Sequence, residues 1–174
     1  MISEESWHRI KVLAVDVDGV LTDGQIILQG NSVCRRFYVR DGLAIKWLVQ
    51  LGLRVVIITG RNCTLAEKKR WHQLGIRTVL ARAENKEKSL GRWLKHAGFN
   101  WNDVCYIGDD LPDRSPMQRA ALAVCPADAC PQVRAVADIV CHTSGGCGVL
   151  REIAELILQK RGKWETILAS YASC

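Results

Sequence analysis

Val15-Asp16-Val17-Asp18-Gly19-Val20-Leu21-Thr22-Asp23-Gly24 is the stretch on which the reading of this chain turns. The apolar run before it, residues 10–15 interrupted only by Lys11, reads as a buried strand, and it ends in two aspartates one residue apart and a glycine. Residues i and i+2 of a strand point the same way. Asp16 and Asp18 therefore project together from the carboxyl edge of a parallel sheet, where open α/β folds place their ligands. Two carboxylates that close stay ionised together only if something positive offsets their repulsion. A strand-to-turn junction with solvated acids would show the same letters, because Asp and Gly are ordinary turn residues. The decision rests on the remainder of the chain.

Three later features weigh in. Residues 53–58 form the next apolar run and stop at Thr59-Gly60-Arg61. A hydroxyl and open backbone N–H groups between strand and helix suit a phosphate, although a plain βα turn with Asn62 as the helix cap has the same pattern. Lys86 falls near the start of a helix opened by Glu84-Asn85. A cation is disfavoured at that end of the helix dipole, so this lysine either serves an anion elsewhere or is a solvated surface group. Finally, residues 104–107 form a strand that runs into Gly108-Asp109-Asp110-Leu111-Pro112-Asp113, a second acidic strand end. Parallel topology brings it beside the first, an arrangement that calls for a shared metal.

Elements alternate along the rest of the chain. Residues 25–28 and 33–39 flank a Gly-Asn turn and predict a β-hairpin projecting from the acidic loop, ended by Arg40-Asp41-Gly42. Helices are expected over residues 43–51 and 63–74, from Glu84-Asn85-Lys86 to near Gly98, and over 114–121, 131–137 and 149–160, with strands at 76–81, 122–125 and 138–141. The fold class is α/β: a single Rossmann-like domain over residues 1–174, core about 10–163, with a mainly parallel central sheet. The hairpin, 25–39, forms a flap, no length is left for a large cap domain, and residues 164–174 are expected as a mobile tail.

Composition excludes several classes. Hydrophobic residues make up 48% and charged residues 24% of 174 positions, as in an ordinary globular domain. No apolar run approaches the ~20 residues of a membrane span, and residues 1–5 do not read as a signal peptide, so the expectation is a cytoplasmic protein without membrane contact. The eight cysteines are scattered and read as reduced thiols. The group from Cys125 to Cys147 with His142 lacks C-x-x-C or H-x-x-x-H spacing for zinc. A net charge of +6 is spread along the chain without a nucleic-acid-binding motif, and a small anionic substrate fits it as well as a polyanion does.

The ordered set of residues 16–24, Ile58-Thr59-Gly60-Arg61, Lys86 and residues 106–113 resembles the haloacid dehalogenase superfamily of phosphohydrolases. With Arg40-Asp41-Gly42 and the glycine motif from Gly145 to Glu152, it resembles more narrowly the 3-deoxy-D-manno-octulosonate 8-phosphate phosphatase family, over about residues 10–163. The resemblance implies a Mg²⁺-dependent phosphomonoesterase of lipopolysaccharide precursor synthesis, working through an aspartyl-phosphate. It implies Asp16 as nucleophile and Asp18 as acid and base. Mg²⁺ would be held by Asp16, the Asp18 carbonyl and Asp109, with Asp110 and Asp113 orienting that shell. Thr59, Gly60 and Lys86 would hold the phosphoryl oxygens, and Arg61 with Lys69 or Arg70 would contact the substrate. It also implies a homotetramer with the flap at the interface. Asp18 must carry a proton at the moment of attack, for which support from the Thr22 region is expected.

Two departures bear on the substrate. Cys147 stands where the family usually has a basic residue. One extra residue between Thr59 and Leu74 leaves the family's helix arginine at either Lys69 or Arg70. A nonulosonate 9-phosphate phosphatase or a broader sugar phosphatase is the alternative within this chemistry. A non-catalytic oligomerisation module is the alternative outside it, and the intact Asp16, Asp18, Lys86 and Asp109 speak against that.

Overall fold

The structure, a computed structural model, describes residue 2 and residues 4–30 and 32–172. Asn31 at the hairpin turn and Cys174 at the end of the expected tail lie outside the described residues. A short helix α1 (Glu4–Arg9) precedes strand β1 (Val12–Val15), and the hairpin follows as β2 (Ile27–Gln29) and β3 (Ser32–Cys34). Then come α2 (Val39–Gln50), β4 (Arg54–Ile58), α3 (Leu65–Gln73), β5 (Thr78–Leu80), α4 (Lys86–Ala97) and β6 (Val104–Ile107). The chain closes with α5 (Leu111–Arg119), β7 (Leu122–Cys125), α6 (Pro131–Arg134), β8 (Ile139–Val140), α7 (Val149–Lys160) and α8 (Trp164–Ala172).

Six strands make one parallel sheet in the order β5-β4-β1-β6-β7-β8, and the hairpin forms its own two-stranded antiparallel sheet. Val15 is level with both Ile57 and Ile107, so β1, β4 and β6 end together. The chain builds outward from β1 on one side and then returns to build on the other. That reversal opens a crevice at the carboxyl end of β1.

Strand alternation sorts the core into two layers. Leu13, Val15, Val55, Ile57, Cys105 and Ile107 face one apolar cluster with residues of α2 and α7. Val12, Ala14, Val56, Ile58, Val104 and Tyr106 face the other with Leu90, Leu94, Met117 and Val133 from α4, α5 and α6. Burial on both faces explains why these strands read as continuous apolar runs.

Several boundaries differ from the sequence reading. Arg40-Asp41-Gly42 lies in the first turn of α2 rather than ending the hairpin. Asp41 is buried and its Oδ1 accepts from Arg151 N–H at 2.8 Å, tying α2 to the start of α7, while burial pushes its carboxyl up to about 6. α3 is capped by Thr64, not Asn62, because Thr64 and Glu67 exchange side-chain-to-backbone bonds at 2.7 and 3.2 Å. The expected tail is helix α8: Trp164 and Ile167 pack on the core, and Trp47 Nε1 donates to the Tyr171 hydroxyl at 3.1 Å.

Candidate active site

Asp16 follows β1 with its N–H still in the sheet, donating to Ile107 O at 3.0 Å. The chain then makes one wide turn, closed by Thr22 N–H to Val17 O at 3.0 Å, in which Gly19 takes φ +88°. Only glycine serves at that position, since a Cβ would also stand 2.1 Å from Asp109 Oδ2. The glycines of the late motif clamp this turn from behind. Gly146 N–H donates to Val20 O at 3.0 Å, and Gly145 lies against the backbone of Gly19 and Thr22. A Cβ on residue 145 would come 2.1 Å from Gly19 O and 2.7 Å from Gly19 C, so Gly145→Ala is expected to cost about 1–3 kcal/mol, lowering Tm by about 2–12 °C in a calorimetric scan. Gly91→Ala, meeting only Trp101 at 3.6 Å inside α4, should instead leave Tm equal or higher.

Lys86, the first residue of α4, is buried with its Nζ 2.9 Å from Asp16 Oδ1 and 2.7 Å from Asp113 Oδ1. These carboxylates compensate its place at the wrong end of the helix dipole. Asp113 Oδ1 also accepts from the Tyr106 hydroxyl at 2.6 Å, and its Oδ2 meets the N–H groups of Asp109 and Asp110 at 3.4 Å. Gly108 permits this approach, because a Cβ there would sit 2.3 Å from the Asp113 Cβ. On the other side of β1, Thr59 N–H continues the sheet to Leu80 O at 3.0 Å, and Thr59 Oγ1 accepts from Arg61 N–H at 3.2 Å. Its hydroxyl proton is left to donate.

Electrostatics concentrate here. Burial, then the charge of Asp113, pushes Asp16 up to about 6 against the pull of Lys86. Burial, then Asp16 and Asp113, pushes Asp109 up to about 8. Burial alone would lower Lys86, and Asp113 and Asp16 more than reverse this, holding it above the ordinary lysine value. Carboxyl oxygens of Asp16, Asp109 and Asp113 lie within 4.8 Å of one another, and Asp109 Oδ1 is buried with no hydrogen-bond partner. Crowded carboxylates, one with an orphan oxygen, fit a hard divalent cation such as Mg²⁺. Among the described residues no cysteine–histidine group gathers in this way. Burial instead raises Cys125 to about 11 and Cys141 to about 12, as expected of inert thiols.

One cavity of about 400 Å³ is lined by Asp16, Asp18, Thr59, Gly60, Arg61, Lys86, Asp109, Asp110 and Asp113. Depressions of about 620 and 740 Å³, one at the far sheet edge and one beside α4, lack such a carboxylate cluster. Lys69 and Arg70 are not brought to the cavity: Lys69 is exposed on α3, and Arg70 is half-buried against Gly42 and the hairpin base. Asp18 is partly buried, at 25% side-chain exposure, but Thr22 gives it no hydrogen bond. The Thr22 hydroxyl donates to Val17 O and accepts from Gly24 N–H, both at 3.3 Å, because it closes its own turn. Asp18 is held instead by Arg35, Nε to Oδ1 at 2.9 Å, and by Arg61, Nε to Oδ2 at 3.3 Å. The sequence pattern assigns no role to Arg35 or Glu67, and it takes Tyr106 only as the first residue of the 106–113 motif. Thr64-x-x-Glu67 carries a capping-box signal, and nothing marks Arg35 among its basic neighbours.

A parallel sheet whose central strand ends in paired aspartates, flanked by a Thr-Gly turn, a buried lysine and a second acidic strand end, defines a haloacid dehalogenase-like hydrolase, and the profile of that family matches residues 73–153. The 3-deoxy-D-manno-octulosonate 8-phosphate phosphatase of Haemophilus influenzae is 35% identical over 161 residues, 92% of this chain and 89% of that one. The Escherichia coli phosphatase of the same name is 38% identical over 157 residues, 90% of this chain and 83% of that one. The crystal structure of the Moraxella catarrhalis phosphatase, in complex with magnesium ion, phosphate ion and KDO, superposes with a TM-score of 0.92 at 36% identity, covering 97% of each chain. The chain belongs to the 3-deoxy-D-manno-octulosonate 8-phosphate phosphatase family.

Proposed function

We propose that this protein hydrolyses 3-deoxy-D-manno-octulosonate 8-phosphate in a Mg²⁺-dependent reaction through an aspartyl-phosphate. The observation that carries it is the placing of Lys86 against Asp16, beside Asp109 and the Thr59-Gly60 turn, in a single cavity. An Asp16 oxygen bonds to phosphorus as the bond from phosphorus to the sugar oxygen breaks, and Asp18 gives its proton to that leaving oxygen. Asp18 then takes a proton from water, whose oxygen attacks phosphorus. The Asp16–phosphorus bond breaks, inorganic phosphate leaves, and both aspartates are restored. Thr59, Gly60 N–H and Lys86 hold the phosphoryl oxygens, and Arg61 faces the sugar acid. Mg²⁺, held by Asp16, Asp109 and the Asp18 carbonyl with Asp110 and Asp113 orienting them, supplies positive charge against the anionic phosphate. Lys69 and Arg70 carry no role in this proposal.

Exposed Ile26, Ile27, Leu28 and Val33 on the hairpin support its place at the interface of a homotetramer, and a monomeric mass by light scattering would refute that. No helix among the described residues is long and apolar enough to cross a membrane. We place the protein in the cytoplasm, which cell fractionation tests. The decisive assay is phosphate release from the octulosonate phosphate with Mg²⁺, expected to be rapid and to vanish with EDTA. Hydrolysis of aryl phosphates alone would keep the reaction class and overturn the substrate.

A further inference from the structure

We infer that Arg35, on the hairpin's return limb, is a positioning residue that aims the Asp18 carboxyl at the leaving-group oxygen. Its side chain is only 7% exposed, and it spends its guanidinium on two carboxylates. Nη2 donates to Asp18 Oδ2 at 3.4 Å and Nη1 donates to Glu67 Oε1 at 2.6 Å, while Nε makes an ion-pair contact with Asp18 Oδ1 at 2.9 Å that is not aligned as a hydrogen bond. The planar guanidinium thus spans two carboxylates with one hydrogen bond to each, a spacing set by its rigid fork, which a lysine cannot reproduce.

Glu67 anchors that fork. Its Oε2 accepts from Thr64 N–H at 2.7 Å in the capping box of α3, so the carboxylate facing Arg35 is tied to the helix that follows the Thr59-Gly60-Arg61 turn. A continuous chain of bonds thus runs from the first turn of α3 through the flap to Asp18. Arg61 reaches Asp18 Oδ2 from the other side at 3.3 Å, but its side chain is 52% exposed. Of the two arginines, only Arg35 is held rigidly. Near-attack geometry is lost with displacements of about 1 Å, so an Asp18 freed from Arg35 spends less time where its proton can be transferred.

This inference rests on the phosphatase reading, which wild-type turnover tests by itself. The test of Arg35 is the dependence of kcat/KM on leaving-group acidity across substituted phenyl phosphates, because kcat/KM reports the step that expels the leaving group. A well-aimed acid makes that dependence shallow. In Arg35→Met the phenyl phosphate rate is expected to fall about tenfold further than the para-nitrophenyl phosphate rate, so the dependence steepens. Glu67→Gln should steepen it in the same direction by less, and Arg35→Lys should lie between wild type and Arg35→Met. Should Arg35→Met fail to fold, the other two variants carry the test. Equal losses on both substrates, tracking a lower Tm, would make Arg35 a mere stitch holding the hairpin and overturn the inference.

Discussion

Asp16→Asn is expected to lower kcat/KM on the octulosonate phosphate by at least about 10⁴-fold, the scale seen when a covalent nucleophile is removed. The amide is isosteric and its oxygen can still accept from Lys86, so the loss is chemical rather than a failure to fold. Acid-quenched wild-type enzyme should carry phosphate that hydroxylamine releases, and the variant none. Stability separates the two proteins in the opposite sense. Asp16 has its carboxyl raised from 3.8 to about 6, so ionising it in the fold costs stability as pH climbs through that window. The asparagine has no such cost. Without Mg²⁺, the variant's Tm relative to wild type should therefore rise between pH 4 and 6 and then level off. A variant retaining more than about a tenth of wild-type activity would remove Asp16 from the nucleophile's role.

The parts of this arrangement legible in the sequence are those fixed by short-range pattern. Apart from exposed Arg54 at the start of β4, strands β1, β4 and β6 are buried on both faces, so their runs are apolar, and the polar residues that end them sit where the sheet stops. Asp16, Thr59 and Asp109 share one cavity for that reason. The register that levels these strand ends is a tertiary fact, yet parallel alternation all but imposes it. Long-range pairing is what the sequence hides. Arg35 meets Glu67 across 32 positions, and Asp41 caps α7 through Arg151 N–H across 110 positions. Neither partner is marked locally: Arg40-Asp41-Gly42 reads as a motif at the end of the hairpin, and Arg35 stands undistinguished beside Arg36. The end of the chain is a milder case. Trp164, Ile167 and Tyr171 recur at helical spacing, but the Trp47 ring and the core residues that this stripe covers lie far away in sequence.

Lys86→Met is expected to lower both activity and stability, and the two losses have different remedies. In the fold Lys86 is held above its ordinary value, so it stays charged from about pH 5 to 9, and its contribution disappears only in strong alkali. Replacing it leaves Asp16 and the fully buried Asp113 facing each other without their cation. Removing one partner from a buried ionic group costs about 3–5 kcal/mol, a fall of roughly 6–20 °C in Tm for a domain of this size. Because the penalty belongs to ionised carboxylates, it should be smallest near pH 4 and grow as Asp16 ionises. Added Mg²⁺ should recover part of the Tm, since any cation bound among Asp16, Asp109 and Asp113 relieves the same repulsion. It should not recover kcat/KM, which is expected to stay about 10²–10³-fold low, because the charge lost is the one proposed to meet the phosphoryl oxygens. If Mg²⁺ restored activity and Tm together, Lys86 would be a strut between two carboxylates, and the phosphate would have to be held by Thr59 and the Gly60 N–H alone.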